Sequence, residues 1–332
     1  MKTTSVIIMN LCVPCANHCR YCLLSYDGKL RGIDYMRSQT YAQRFYHWAK
    51  EHRPDLQVMF AWGYSMEHPH LLEAVDFLHS IGSPGGEFLQ MDGMKFRTES
   101  ELRQLFSDLI AHGIKMIDLT FYGTREYHDR FAARKGDFDY MIDMLRIANE
   151  IGLDVHCDVP LSHENTLQAD ELLQILNQYR CGISFFVPHA EGRGITLNPV
   201  RFREEDYNLL SDAVKQRFNR QKFKPESQWV QENQFSLWEQ RSMTLSLTPE
   251  NIDFFEQISF EEAIQYLDKL DDDYFAVMPP LSELVKLYGD PTNSEFYNER
   301  DLYLKYQRRY IEDNQLSLYD INDERQCSCR RF

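Results

Sequence analysis

The segment Cys12-Val-Pro-Cys15-Ala-Asn-His-Cys19-Arg-Tyr-Cys22 places four thiols within eleven residues, directly after the apolar stretch Ser5 to Met9. A thiolate is a soft ligand that suits zinc and iron–sulfur centres. Three kinds of site compete for these residues: a zinc site, a fully ligated ferredoxin-like cluster, and a cluster held by only three of the cysteines. Zinc ribbons place a dozen or more residues between two CxxC knuckles, so the three residues between Cys15 and Cys19 crowd the chain for two knuckles. A ferredoxin run has spacings of two, two and three residues followed by proline. Here the spacings are two, three and two, and Cys22 is followed by leucine. Three thiolates, Cys15-x-x-x-Cys19-x-x-Cys22, leave one metal position open, as catalytic metal sites do. Cys12 is then the extra thiol, read as a small buried residue at a strand end.

Outward from this loop, strand-like and helix-like segments alternate, the pattern of repeated βα units that build a parallel sheet. The strand candidates are Ser5 to Met9, Gln57 to Trp62, Glu87 to Met91, Lys115 to Phe121, Asp154 to Pro160 and Gly182 to Val187. Amphipathic stretches near Thr40 to His52, His70 to Ile81, Thr98 to His112, Phe138 to Ile151 and Thr166 to Tyr179 separate them. Crossover connections of one hand coil six such units into an open, partial barrel with its ligand site at the C-terminal strand ends. The cysteine loop follows the first strand, at that end. Beyond Gly194 the rhythm stops, and Glu204 to Phe218, Phe260 to Leu270, Leu281 to Leu287 and Phe296 to Glu312 read as helical. The expectation is an α/β fold, a partial (β/α)6 barrel over residues 1–195 with a mostly helical C-terminal region over 196–332.

Composition limits the classes of function. Of 332 residues, 43% are apolar and 13% aromatic, the balance of a chain with a packed core. A net charge of −15 argues against general attraction to nucleic acid or an anionic membrane. The first apolar run is too short for a secretory core or a membrane span, and the chain reads as cytoplasmic, where close cysteines bind metal more often than they form disulfides.

The Cys15, Cys19 and Cys22 motif, with the aromatic Tyr21 before the last thiol, resembles the signature of the radical S-adenosylmethionine (SAM) superfamily. The resemblance runs over about residues 5 to 195 and is closest to the branch of peptide-modifying maturases (SPASM-like) and molybdopterin-type enzymes. It implies a radical SAM barrel. It also implies a [4Fe–4S] cluster on Cys15, Cys19 and Cys22, whose open iron is chelated by the amino and carboxylate groups of SAM. Reductive cleavage of SAM then yields a 5′-deoxyadenosyl radical that abstracts hydrogen from a substrate. An electron donor such as flavodoxin or ferredoxin is implied as a partner.

The segment Thr120-Phe-Tyr-Gly123 through His128-Asp129 to Arg134 is similar to a stretch of that branch in which an arginine helps to bind the SAM carboxylate. A guanidinium suits that role, and Arg134 is the candidate, with an ion pair as the competing reading. His128 and Asp129 are read as capping the turn. Where the family has Gly-Gly-Glu-Pro after its second strand, this chain has Trp62-Gly63-Tyr64-Ser65-Met66-Glu67-His68-Pro69, a departure. Gly63 and Tyr64 by their carbonyls, and Ser65 or Glu67 by an oxygen, are the candidates to receive the SAM ammonium. His156 and Asp158 alternate with apolar residues and face the barrel interior, where a structural hydrogen bond competes with a SAM contact. Val187 and Tyr21 are the candidates to flank adenine.

Unlike many maturases of that branch, the chain lacks a cysteine-rich auxiliary domain: after Cys181 its only thiols are Cys327 and Cys329, too few for a second four-thiolate cluster. The functions that follow are radical modification of a peptide or similarly sized polar substrate, modification of a small metabolite or nucleoside, and a non-catalytic zinc or iron–sulfur binding module.

Overall fold

Strand β5 (Asp154–Pro160) shows why the βα reading works. Its sequence alternates, and its burial alternates with it: Val155, Cys157 and Val159 are sealed in the core while His156 and Asp158 point to the other face. The computed structural model describes residues 3–82, 86–190, 192–235 and 241–316; Cys327 and Cys329 lie outside the described residues. The other barrel strands are β1 (Thr3–Asn10), β2 (Gln57–Trp62), β3 (Phe88–Gln90), β4 (Met116–Thr120) and β6 (Gly182–Phe186). All six expected strands are present. Helices α1 (Tyr35–His52), α2 (Leu71–Ser80), α3 (Glu99–Ala111), α5 (Asp137–Ile151) and α6 (Ala169–Leu176) fall within the expected stretches or extend them by a few residues. Between β4 and α5 there is also α4 (Arg125–Ala132).

Helix ends follow local chemistry. Thr98 and Glu101 form a reciprocal capping box at the start of α3. Asp129 accepts from the backbone N–H groups of Gly136 (2.6 Å) and Phe138 (2.9 Å), which starts α5 and bears out the capping role read for it. Gly152 ends α5 in the left-handed conformation.

The six barrel strands lie in two parallel sheets, and Lys224–Pro225 pairs antiparallel with Phe296–Tyr297 in a separate two-stranded one. One parallel sheet has the order β3-β4-β5-β6, with Asp118 beside His156 and Thr120 beside Asp158. The other has β1 at its centre, with β2 on one side and, on the other, β7 (Arg241–Ser246), also parallel. The sequence reading missed β7, because its apolar run lies far along the chain and only pairing with β1 identifies it. The C-terminal region is otherwise mostly helical, though the stretch expected as one helix over Glu204 to Phe218 is two short ones, Glu204–Leu209 and Asp212–Lys215. At Phe296 a two-residue strand precedes the helix Glu299–Asp313. One main core joins Val6, Ile8, Leu119 and Val155 of the barrel to Met243, Leu245 and Leu267 of the C-terminal region.

Candidate functional site

Asn10, fully buried at the end of β1, fixes both ends of the loop that follows. Its side chain accepts from Ile33 N–H (2.9 Å) and donates to Ser38 Oγ (2.7 Å), while its carbonyl accepts from Cys12 N–H (2.9 Å) and Gly63 N–H (2.7 Å). The cysteine loop is then tied to four neighbouring segments by backbone hydrogen bonds. Val13 accepts from Tyr64 (2.9 Å) after β2, and Ala16 donates to Gly93 (2.7 Å) after β3. His18 donates to Ala132 (2.9 Å) at the end of α4, and Cys22 accepts from Arg193 (3.0 Å) after β6. The cysteines therefore stand over the C-terminal mouth of the parallel strands, where open α/β folds bind ligands.

Cys15, Cys19 and Cys22 gather close enough to act on one another electrostatically. Burial pushes the Cys15 thiol up to about 11 and raises that of Cys19 further, so these thiols stay protonated until a cation stabilises their thiolates. Among the described residues no three His, Cys, Asp or Glu side chains close onto a single metal ion. Gly93 supplies a cradle: it has φ +70°, and a Cβ there would lie 2.1 Å from Cys15 Sγ. Three soft donors of one kind, half-buried on a pinned loop and backed by a residue without a side chain, suit a group bulkier than one ion. Cys12 lies apart, its thiol pushed up to about 11 by burial beside Asp34.

The residues singled out in the sequence fall into distinct places. Arg134 Nη1 donates to Met94 carbonyl (2.6 Å), to Asn17 Oδ1 in the cysteine loop (3.2 Å) and to Asp137 Oδ1 (3.2 Å), and its guanidinium lies on the Phe96 ring at 3.7 Å. The same buried Asp137 accepts from Asn17 Nδ2 (3.1 Å) and faces His128 Nε2 (3.2 Å), while His128 Nδ1 accepts from Tyr122 N–H. His128 thus carries its proton on Nε2 and braces the loop from below. Tyr21 packs edge-on against Tyr122 and beside Phe131.

Ser65 donates to Pro14 carbonyl (2.6 Å) and accepts from Glu67 N–H (3.1 Å), which fixes the turn after β2 where Gly63 (φ +61°) and Tyr64 sit. The Glu67 carboxylate is engaged by Arg97 at 2.8 and 2.9 Å and by Lys95 N–H. Val187 is 1% exposed within the core. His156 and Asp158 do face the barrel interior: His156 Nε2 lies 2.9 Å from Ser184 Oγ and 3.4 Å from Asp158 Oδ1.

Three residues of this site escaped the sequence reading. Asp92, two residues beyond β3, accepts from Thr120 N–H (2.9 Å), Thr120 Oγ1 (2.6 Å) and Gln90 Nε2 (3.0 Å). Burial raises its pKa, and its charge is felt by Cys15 and Cys19. Tyr122 OH lies 3.1 Å from Cys19 Sγ, and Asn17 links the loop to Arg134. An Asp-Gly pair immediately after a strand, at the end where the cysteines sit, was the signal available for Asp92.

Residues 9–176, half of the chain, match the radical SAM superfamily. No curated protein sequence matches this one. Among solved structures the fold is similar to histidine-tagged anSMEcpe with bound AdoMet (17% identity, TM-score 0.38, covering 56% of this chain and 50% of that one). It is similar also to the Escherichia coli coproporphyrinogen III oxidase HemN (11%, 0.41, 93% and 91%) and to HydG, a maturase of the [FeFe]-hydrogenase (15%, 0.40, 64% and 50%). The chain spans about half the length of anSMEcpe and HydG. Among the described residues no helix is long and apolar enough to cross a membrane. The chain belongs to the radical SAM superfamily, whose enzymes use a [4Fe–4S] cluster and S-adenosylmethionine.

Proposed function

We propose that Cys15, Cys19 and Cys22 hold the [4Fe–4S] cluster of this enzyme, and that its substrate is a peptide or a similarly sized polar molecule. The observation that carries the ligand assignment is the convergence of these three thiols on one loop tied to four neighbouring segments at the strand ends. When bound, the cluster and SAM supply a 5′-deoxyadenosyl radical that removes hydrogen from substrate. The chain's own residues do the rest. Gly93 leaves room beside Cys15, and Asn17, Asp137 and Arg134 brace the loop. Arg134 already serves Asp137, so a SAM carboxylate would share this guanidinium with it. The Gly63–Tyr64–Ser65 turn is the proposed seat for the SAM ammonium. Glu67 supports that turn through Arg97, and Tyr21 is the proposed adenine neighbour. His156 and Asp158 stand deeper in the barrel, on the side from which substrate would approach.

The branch resemblance and the acidic charge favour a peptide, with the chain divided at 195/196 and the C-terminal region covering the barrel. A small metabolite is the second reading. A cavity of about 300 Å³ lies in the C-terminal region, between β7 residues such as Thr244 and Ser246 and Phe254, Tyr266 and Leu270, with no residue of the cysteine loop in its lining. That is the size of a compact ligand site and not of a long groove. A flavodoxin or ferredoxin is the proposed reductant, and the cytoplasm the proposed compartment.

The ligand assignment is tested by changing Cys15, Cys19 and Cys22 together to Ala. Expected are loss of the brown colour, of bound iron and of 5′-deoxyadenosine formation, with the far-ultraviolet circular dichroism of the barrel retained. Retained iron with full SAM cleavage contradicts it.

A further inference from the structure

Below the cysteine loop, the interior face of β3 to β6 is strongly acidic. Asp92 and Thr120 lie in the layer nearest the cysteines, level with Asp158; Asp118 and His156 are paired one layer deeper. Strands β3 to β6 carry no lysine or arginine; Asp92, Asp118 and Asp158 gather near the single imidazole of His156, while Asp154, at the far end of β5, is paired with Arg180 (3.3 Å). Asp118 is 7% exposed, and its buried Oδ1 accepts no hydrogen bond. A buried carboxylate oxygen without a donor is costly, more so when charged, and native folds rarely leave one without a reason. Its neighbours are open to a small ligand: the His156 and Asp158 side chains are 30% and 34% exposed, and Gly182 gives His156 room to lie across β6, since a Cβ there would sit 2.6 Å from Nδ1.

We propose that Asp118 and Asp158, with His156 and Ser184 beside them, form a subsite for a cationic nitrogen of the substrate, a primary ammonium or a guanidinium. This deepens the reading of the barrel as the radical site and rests on it. The cation supplies the donors that Asp118 Oδ1 lacks, and its charge is held by the two carboxylates. Burial, then the charges of Asp158 and Asp92, push the Asp118 carboxyl up to about 8 against the opposing pull of His156, and the carboxyls of Asp118 and Asp158 lie within hydrogen-bond reach of each other. His156, its own pKa raised by Asp158 and held beside Ser184, is placed to orient the pair rather than to replace the ligand.

The test uses the full chain, reconstituted anaerobically with iron and sulfide, and titrates it calorimetrically with n-butylammonium, n-butanol and n-butyrate. Butylammonium is expected to bind at least about tenfold more tightly than either other probe, and Asp118→Asn to weaken it by about tenfold, as loss of a charged hydrogen bond does. Asp158→Asn is the second variant and carries the test if the first does not fold. Equal binding of the three probes, binding of none, or unchanged affinity in the folded variants overturns the proposal. Iron content and SAM binding are read on the same samples. Iron-loaded, SAM-binding protein without an ammonium preference removes the subsite and leaves the cluster assignment standing, whereas an ammonium preference in protein that takes up no iron does the reverse.

Discussion

Glu226 and Asp118 are both buried carboxylates, one in the C-terminal region and one on the barrel wall, and their surroundings differ in kind. Glu226 is fully buried and fully met: Lys305 Nζ, Tyr306 OH, Asn293 Nδ2 and Asp290 N–H all donate to it. It ties the helix Glu226–Glu232 to the loop at Asp290 and to the helix Glu299–Asp313. Asp118 has the opposite situation, an oxygen with no donor beside two further carboxylates. A satisfied buried charge holds elements together, whereas an unsatisfied one beside partly exposed polar neighbours marks a place where something else completes the structure.

The two positions should therefore respond oppositely to removal of charge. The larger effect is at Glu226. Glu226→Gln sets an amide N–H₂ against donors and leaves Lys305 without its counter-ion. It is expected to lower unfolding stability by about 3 kcal/mol in denaturant titration, with partial relief because Lys305 reaches solvent. A loss below about 1 kcal/mol would mean that the Glu226 network is not structural. The smaller effect is at Asp118 and has the other sign. Its folded pKa is raised, so the neutral form is favoured on folding. The associated stability is fully present below the ordinary aspartate range and is lost as pH rises towards about 8. Asp118→Asn removes that dependence. In thermal unfolding without added amine, the variant should match the wild type below about pH 4 and exceed it increasingly up to pH 8, by about 1 kcal/mol or more, with no further change above. A gap that is constant with pH would break the contrast between the two carboxylates.

The same contrast explains what the sequence disclosed. The cysteine motif and the βα rhythm are local signals: spacing and alternation survive without knowledge of neighbours, and β2 and β5 lie within the bounds read for them. His156 and Asp158 were legible as interior residues because strand period assigns their face. Partnerships were not legible. That Glu67 would be held by Arg97, that Arg134 would serve Asp137 and Asn17, and that Val187 would be sealed in the core depend on segments brought together only by folding. Strand β7 was missed for the same reason, since its partner β1 lies more than two hundred residues earlier. Asp118 sat in plain view on a predicted strand, but its distinguishing property is a missing donor, which no pattern of residue types records.

The central claim is that the loop Cys15–Cys22 carries a cluster that cleaves SAM. The most direct measurement is iron per chain together with 5′-deoxyadenosine formed from SAM and dithionite after anaerobic reconstitution of the wild-type protein. About four irons with 5′-deoxyadenosine is the predicted result. A stoichiometric zinc ion, or iron-loaded protein that forms no 5′-deoxyadenosine, would contradict it.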